Sequence, residues 1–170
     1  MSQVVAWFDR KFDFGLPLEH FPNVCIRLRG APARLEDMLR GAQRHVLIKK
    51  PGEKWSAQEH AGHLLDLETL WRSRIEDLTG DGDRLPAADL TNRGTTQANH
   101  NAKDLSEILR GFRAERLRML DQIDSFPPEM FGRSKLHPRL QQPMRLLDHL
   151  FFVAEHDDHH LARIWEMIQG

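Results

Sequence analysis

The 170-residue chain has a formal net charge of -1, with 24 Lys and Arg against 25 Asp and Glu, and 40% of its residues are hydrophobic. That length and balance suit one domain over residues 1–170 with a substantial core, and the lack of a basic excess argues against nucleic acid or an anionic membrane surface as partner. The single cysteine excludes an intramolecular disulfide and makes the cytoplasm the default compartment, while ten histidines and no tyrosine require any metal site to be histidine-based.

No apolar stretch reaches transmembrane length, and the start Met1–Trp7 has no charged segment followed by an apolar signal core. Residues 1–30 concentrate Trp7, Phe8, Phe12, Phe14 and Phe21 without clean periodicity, and Pro17 and Pro22 interrupt them. They read as an aromatic arm draped over the core. From Pro32, the spacing of Leu35, Met38, Leu39, Ala42 and Val46 predicts a first helix to about Leu47, ended by Lys49-Lys50-Pro51-Gly52.

Ser56-Ala57-Gln58-Glu59 is a capping box for a second helix, and Trp55 before the cap can staple against His60. The apolar stripe then runs through Ala61, Leu64, Leu67, Trp71, Ile75 and Leu78 to the break at Gly80-Asp81-Gly82-Asp83. A polar connection over 80–102 leads to a third helix, about Asp104–Ser125, ended by Phe126-Pro127-Pro128. A second connection, 127–142, contains His137-Pro138, and Pro143 fits the first turn of a last helix. No segment reads as a β-hairpin. Four long amphipathic helices predict an all-α four-helix bundle with an aromatic-rich N-terminal arm.

On the last helix His156 and His160 are one turn apart, so their rings project from the same edge. At about 100° per residue, His149 shares that edge, His159 falls on the opposite, solvated side, and His63 lies at the edge of the second-helix stripe. Edge histidines on two helices can converge on one metal, and three neutral imidazoles would leave a coordination position for water or substrate. The same residues also fit an ordinary half-buried surface histidine and a chance pair. Three polar residues fall on stripes that should be apolar: Glu68, Arg116 and Asp157. They suit a structural ion pair, carboxylates that accept the outer ring N–H of a ligating histidine, or an acid–base group. Trp55 and Trp71 read as core, and Cys25 as a small buried residue rather than a nucleophile.

Trp55-Ser56-x-x-Glu59-x-x-x-His63-Leu64-x-Asp66-x-Glu68 resembles the second-helix motif of the DinB/YfiT-like family, and His156-x-x-x-His160-Leu161-x-x-Ile164 resembles its last-helix motif. His137-Pro138 and the arginine-bearing third helix also fit. The opening, from Phe12-Asp13-Phe14 to Arg27-Leu28-x-Gly30-x-Pro32-x-Arg34-Leu35, is similar to one subgroup. The resemblance implies a four-helix bundle in which His63, His156 and His160 hold a divalent metal, commonly zinc or nickel, often in a homodimer. It further implies a metal-dependent enzyme acting on a small molecule, either a transferase using a low-molecular-weight thiol or a hydrolase. The alternative is a non-catalytic metal-binding or stress-response module, closed by His60 or His149 as fourth ligand. The connections 80–102 and 127–142 are expected to form the pocket rim.

Overall fold

In the computed structural model, which describes residues 4–169, the chain forms α1 (Phe21–Leu39), a short α2 (Arg44–Leu47), α3 (Ala57–Thr79), a short α4 (Arg93–Gln97), α5 (Leu105–Asp124) and α6 (Leu146–Gln169). Met1–Gln3, part of the start read for a signal segment, lie outside the described residues. Among the described residues no helix is long and apolar enough to cross a membrane. Helices α1 and α3 each pack against both α5 and α6, so the four long helices form a bundle in the cyclic order α1, α6, α3, α5.

The start of α3 follows its sequence signal. Ser56 Oγ accepts from the Glu59 backbone N–H at 3.2 Å, and Glu59 Oε2 accepts from the Ser56 N–H at 2.8 Å. Trp55 stacks edge-on against His60 with ring centroids 5.4 Å apart, as a hydrophobic staple would. At α5, Asp104 accepts from the Ser106 N–H at 2.9 Å.

The first helix departs from its expected boundaries. It begins at Phe21, with Pro22 in its first turn, and Pro32 lies inside it. It stops at Leu39, where Gly41 takes φ +74°, and the stretch expected to continue it becomes the separate turn α2. Pro32 has no N–H to give the carbonyl four residues back, which is Leu28. Arg116 Nη1 donates to that Leu28 oxygen at 3.1 Å instead. The helix survives its internal proline because a buried guanidinium takes the vacated acceptor.

The connection before α6 also differs, because it contains a small antiparallel hairpin. Strand β1 (Ser134–Leu136) pairs with β2 (Pro143–Arg145) in the register Lys135 to Met144. Pro143 therefore lies in a strand rather than in the first helical turn. The hairpin pairs only three residues a side and lacks a two-residue Asn-Gly or Asp-Gly turn, so no periodic signal marks it.

The buried apolar residues divide into two clusters. One holds Leu28, Trp71, Ile75, Met119 and Leu150, and the other holds Leu35, Leu64, Ile108, Phe112 and Leu161. Between them on α3, α5 and α6 lie Glu68, Arg116 and Asp157, all with 1% exposure or less. Arg116 donates to both Glu68 carboxylate oxygens, at 2.6 and 3.2 Å, and to both of Asp157. With the Leu28 carbonyl, one side chain thus ties α5 to the other three long helices. Two carboxylates share one cation, so burial pushes both carboxyls up, Glu68 to about 7, against the pull of Arg116.

Candidate metal centre

Helix α3 brings His63, and α6 brings His156 and His160, to one end of a cavity between these helices and the N-terminal arm. One ring nitrogen from each of the three lies within 4.8 Å of the others, and all three rings are buried. His156 Nε2 and His160 Nε2 face each other at 3.1 Å. Tetrahedral coordination at zinc–nitrogen distances near 2.1 Å places donors about 3.4 Å apart, so this spacing suits a shared ion. Burial pushes His63 down to about 4, and it holds His156 and His160 well below the usual histidine range, helped by the neighbouring rings. All three are therefore neutral at pH 7, the form that ligates metal.

Two of the rings are oriented from behind. His63 Nδ1 donates to Thr95 Oγ1 at 2.9 Å, and Thr95 Oγ1 donates to Asp66 Oδ2 at 2.8 Å. The same Asp66 oxygen accepts from His100 Nε2 at 2.8 Å. His100 reaches this position because Gly62 has no side chain, since a Cβ there would lie 2.2 Å from His100 Cγ. Gln58 Nε2 holds the backbone of that turn, donating to the His100 and Lys103 carbonyls at 2.7 and 2.9 Å. Behind His160, the Nδ1 atoms of His60 and His160 share a hydrogen bond of 2.7 Å. The staple histidine thus has a second contact, to a ring of the trio.

Glu68 and Asp157 bond to Arg116, and among the described residues neither carboxylate hydrogen-bonds to one of the three histidines. The carboxylate reached from the trio is Asp66, through Thr95. Asp66 stood in the second-helix motif without a role. Its partners Thr95 and His100 lie in a connection with no periodicity, and no sequence signal ties them to His63. His149 lies apart from the trio, its Nε2 donating to the Trp71 carbonyl at 3.2 Å. His159, expected on the solvated side, is 7% exposed, because Trp7 of the arm covers it with ring centroids 5.6 Å apart.

The cavity beside the trio has a volume of about 310 Å³. Trp7, Trp55, Trp71 and Phe152 line it with the three histidines, so Trp55 and Trp71 form its wall as well as packing the bundle. Its rim comes from Ala87–Leu90 and Asn92 in one long connection and His137–Arg139 in the other. Cys25 lies outside this lining, half-buried, its thiol pushed up to about 11 by burial and then by Asp124. It stays protonated and is a poor nucleophile.

The DinB superfamily profile matches residues 27–164, a span that contains all three histidines, the whole of α3 and α5 and most of α1 and α6. The chain belongs to the DinB superfamily. Among solved structures it is similar to YfiT from Bacillus subtilis, described as a probable metal-dependent hydrolase with an unusual four-helix bundle topology. That match has a TM-score of 0.82 and 19% identity, and covers 94% of this chain and 92% of the other. At that identity the likeness establishes the fold. No curated protein matches the chain significantly.

Proposed function

We propose that this DinB-superfamily protein is a metal-dependent enzyme in which His63, His156 and His160 hold one divalent ion, zinc or nickel, at the wall of a pocket for an apolar small molecule. The observation that carries this reading is the trio itself: three neutral imidazoles within reach of one ion, two of them hydrogen-bonded from behind, opening onto a cavity. When bound, the ion supplies Lewis acidity and lowers the pKa of a nucleophile in its remaining coordination position. Thr95 and His60 fix the rings of His63 and His160, while the aromatic wall orients the substrate and excludes water. A purely structural metal module would close the set with a fourth protein ligand. Among the described residues only His63, His156 and His160 bring a ligand nitrogen within 4.8 Å of one another, with neither His60 nor His149 joining them, which favours the enzyme.

The nucleophile we favour is a low-molecular-weight thiol, which makes the reaction an S-transfer. A thiol gives up its proton more readily than water, so it needs no neighbouring base. Among the described residues the one carboxylate in the pocket lining, Asp89, is engaged by Thr91, whose N–H and Oγ1 donate to it at 2.9 and 2.6 Å. Hydrolysis is the second reading, favoured by the description of YfiT. We also propose a homodimer, which light scattering at the mass of one chain would remove.

Elemental analysis of untagged protein tests the centre: near one equivalent of metal is expected, lost in His63→Ala and His156→Ala. No metal after soaking with zinc and nickel sinks the reading. Thiol consumption with an apolar electrophile, set against ester cleavage without thiol, then separates transferase from hydrolase.

A further inference from the structure

The trio occupies one end of the cavity, and the other end carries two arginines that the metal chemistry does not use. Arg74 lies eleven residues beyond His63 on α3, a rise of about 16 Å along the helix axis. It is 4% exposed, yet it makes one hydrogen bond, from Nη2 to the Pro86 carbonyl at 3.0 Å. Among the described residues its Nη1 is buried without a partner, and so is Nη2 of Arg139. Both residues line the cavity. The Arg139 guanidinium lies against the rings of Phe8 and Phe152, 5.4 and 5.9 Å from their centroids.

Few anions are available to these two cations. Asp77 attracts Arg74 without hydrogen-bonding to it, and Asp89 on the rim is turned into its own loop by Thr91. Two histidines add no negative charge. Burial, and then Arg74, keeps His137 near 4 and His149 near 3, so both are neutral. A buried guanidinium N–H without an acceptor costs free energy that a ligand oxygen would recover. Two such cationic donors lining one apolar cavity are of the chemistry that holds a carboxylate.

We propose that Arg74 and Arg139 form an anion subsite that holds the carboxylate of an elongated apolar acid, the rest of which lies between Trp7, Trp71 and Phe152 with its far end at the histidines. This assignment rests on the reading of the cavity as a substrate pocket. It adds the polarity of the substrate: an acid whose reacting atoms lie at the end away from the carboxylate. The subsite is built from groups outside the trio, so it survives even where that trio binds no metal.

The experiment is a titration of the full chain with 4-phenylbutyrate and, in parallel, its uncharged amide, followed by tryptophan fluorescence, since Trp7, Trp55 and Trp71 line the cavity. The acid is expected to bind about tenfold or more tighter than the amide, because only the acid offers charge-assisted hydrogen bonds. Arg74→Gln and Arg139→Gln should each shrink that ratio toward one. Arg139 is only half-buried, so its variant decides the matter if Arg74→Gln fails to fold. His156→Ala should keep the ratio. Equal affinity for acid and amide in the parent, or no saturable binding of the acid, overturns the proposal. So does a ratio lost in His156→Ala and kept in both arginine variants, because the carboxylate would then sit at the metal end. Failure of the metal-enzyme reading is distinguishable: it shows as metal-free protein that still prefers the acid.

Discussion

Helices α3 and α6 each contribute to two buried polar clusters, and the clusters are completed in opposite ways. Around Arg116 the guanidinium donations end on protein acceptors, namely Glu68, Asp157 and the Leu28 carbonyl. Around His63, His156 and His160 the protein bonds come from behind, at Thr95 and His60, and the inward nitrogens face one another beside a cavity. A closed network of this kind joins helices. One left open on its cavity side is a place for a ligand, and its supporting bonds serve orientation rather than stability. The two clusters should therefore respond to substitution in different observables.

The largest effect is expected at the closed cluster. Arg116→Met leaves two buried carboxylates without their cation, and chemical denaturation should show a loss of about 3–5 kcal/mol. Glu68→Gln should weaken stability less and leave metal affinity unchanged. A drop in metal affinity there would mean that the triad does support the histidines. At the open cluster, metal added to a hundredfold excess over its Kd should stabilise the parent by about 2.7 kcal/mol. The same metal should leave the melting temperature of His63→Ala and His156→Ala unmoved. Thr95→Val removes the acceptor behind His63 and should weaken metal binding by about 10- to 100-fold while stability without metal stays near that of the parent. Calorimetric titration checks this, and an unchanged affinity would leave the Thr95–Asp66–His100 chain a matter of loop packing.

The effect confined to acid is the response of a histidine in neither cluster. His149 is held near 3 by burial, whereas an unfolded chain protonates histidine below about 6.5. The unfolded state thus binds the extra proton first, and the contribution is complete above pH 6.5. It is lost as pH falls from 6.5 toward 3, by about 1.4 kcal/mol per pH unit. His149→Gln should flatten the stability curve by that slope within this window, and a slope equal to the parent's would show that His149 titrates normally.

Much of this was legible in the chain because its signals are local. Ser56 and Glu59 form the capping box their spacing announced, and the i, i+4 pair His156 and His160 lies on one edge because helix geometry requires it. Other features depended on partners far away in sequence. Pro32 reads as a helix start, and it is tolerated inside α1 only because Arg116, 84 positions on, takes the Leu28 carbonyl. His159 reads as solvated until Trp7 folds over it. Thr95 and His100 lie in a polar connection that nothing local relates to His63.

The sequence by itself determined the helical bundle, the start of α3 and the shared edge of His156 and His160, because period, capping and one-turn spacing are properties of a single helix. The tertiary structure decided which polar residues close on one another and which remain open to the pocket. Arg116 satisfies the carboxylates that the sequence offered to the metal centre, Asp66 reaches His63 through Thr95, and Arg74 and Arg139 are left facing the cavity with donors to spare. Hydrogen-bond satisfaction in a buried interior is settled by which side chains the packed helices and loops bring within about 3 Å of each other, and no spacing along the chain encodes that distance.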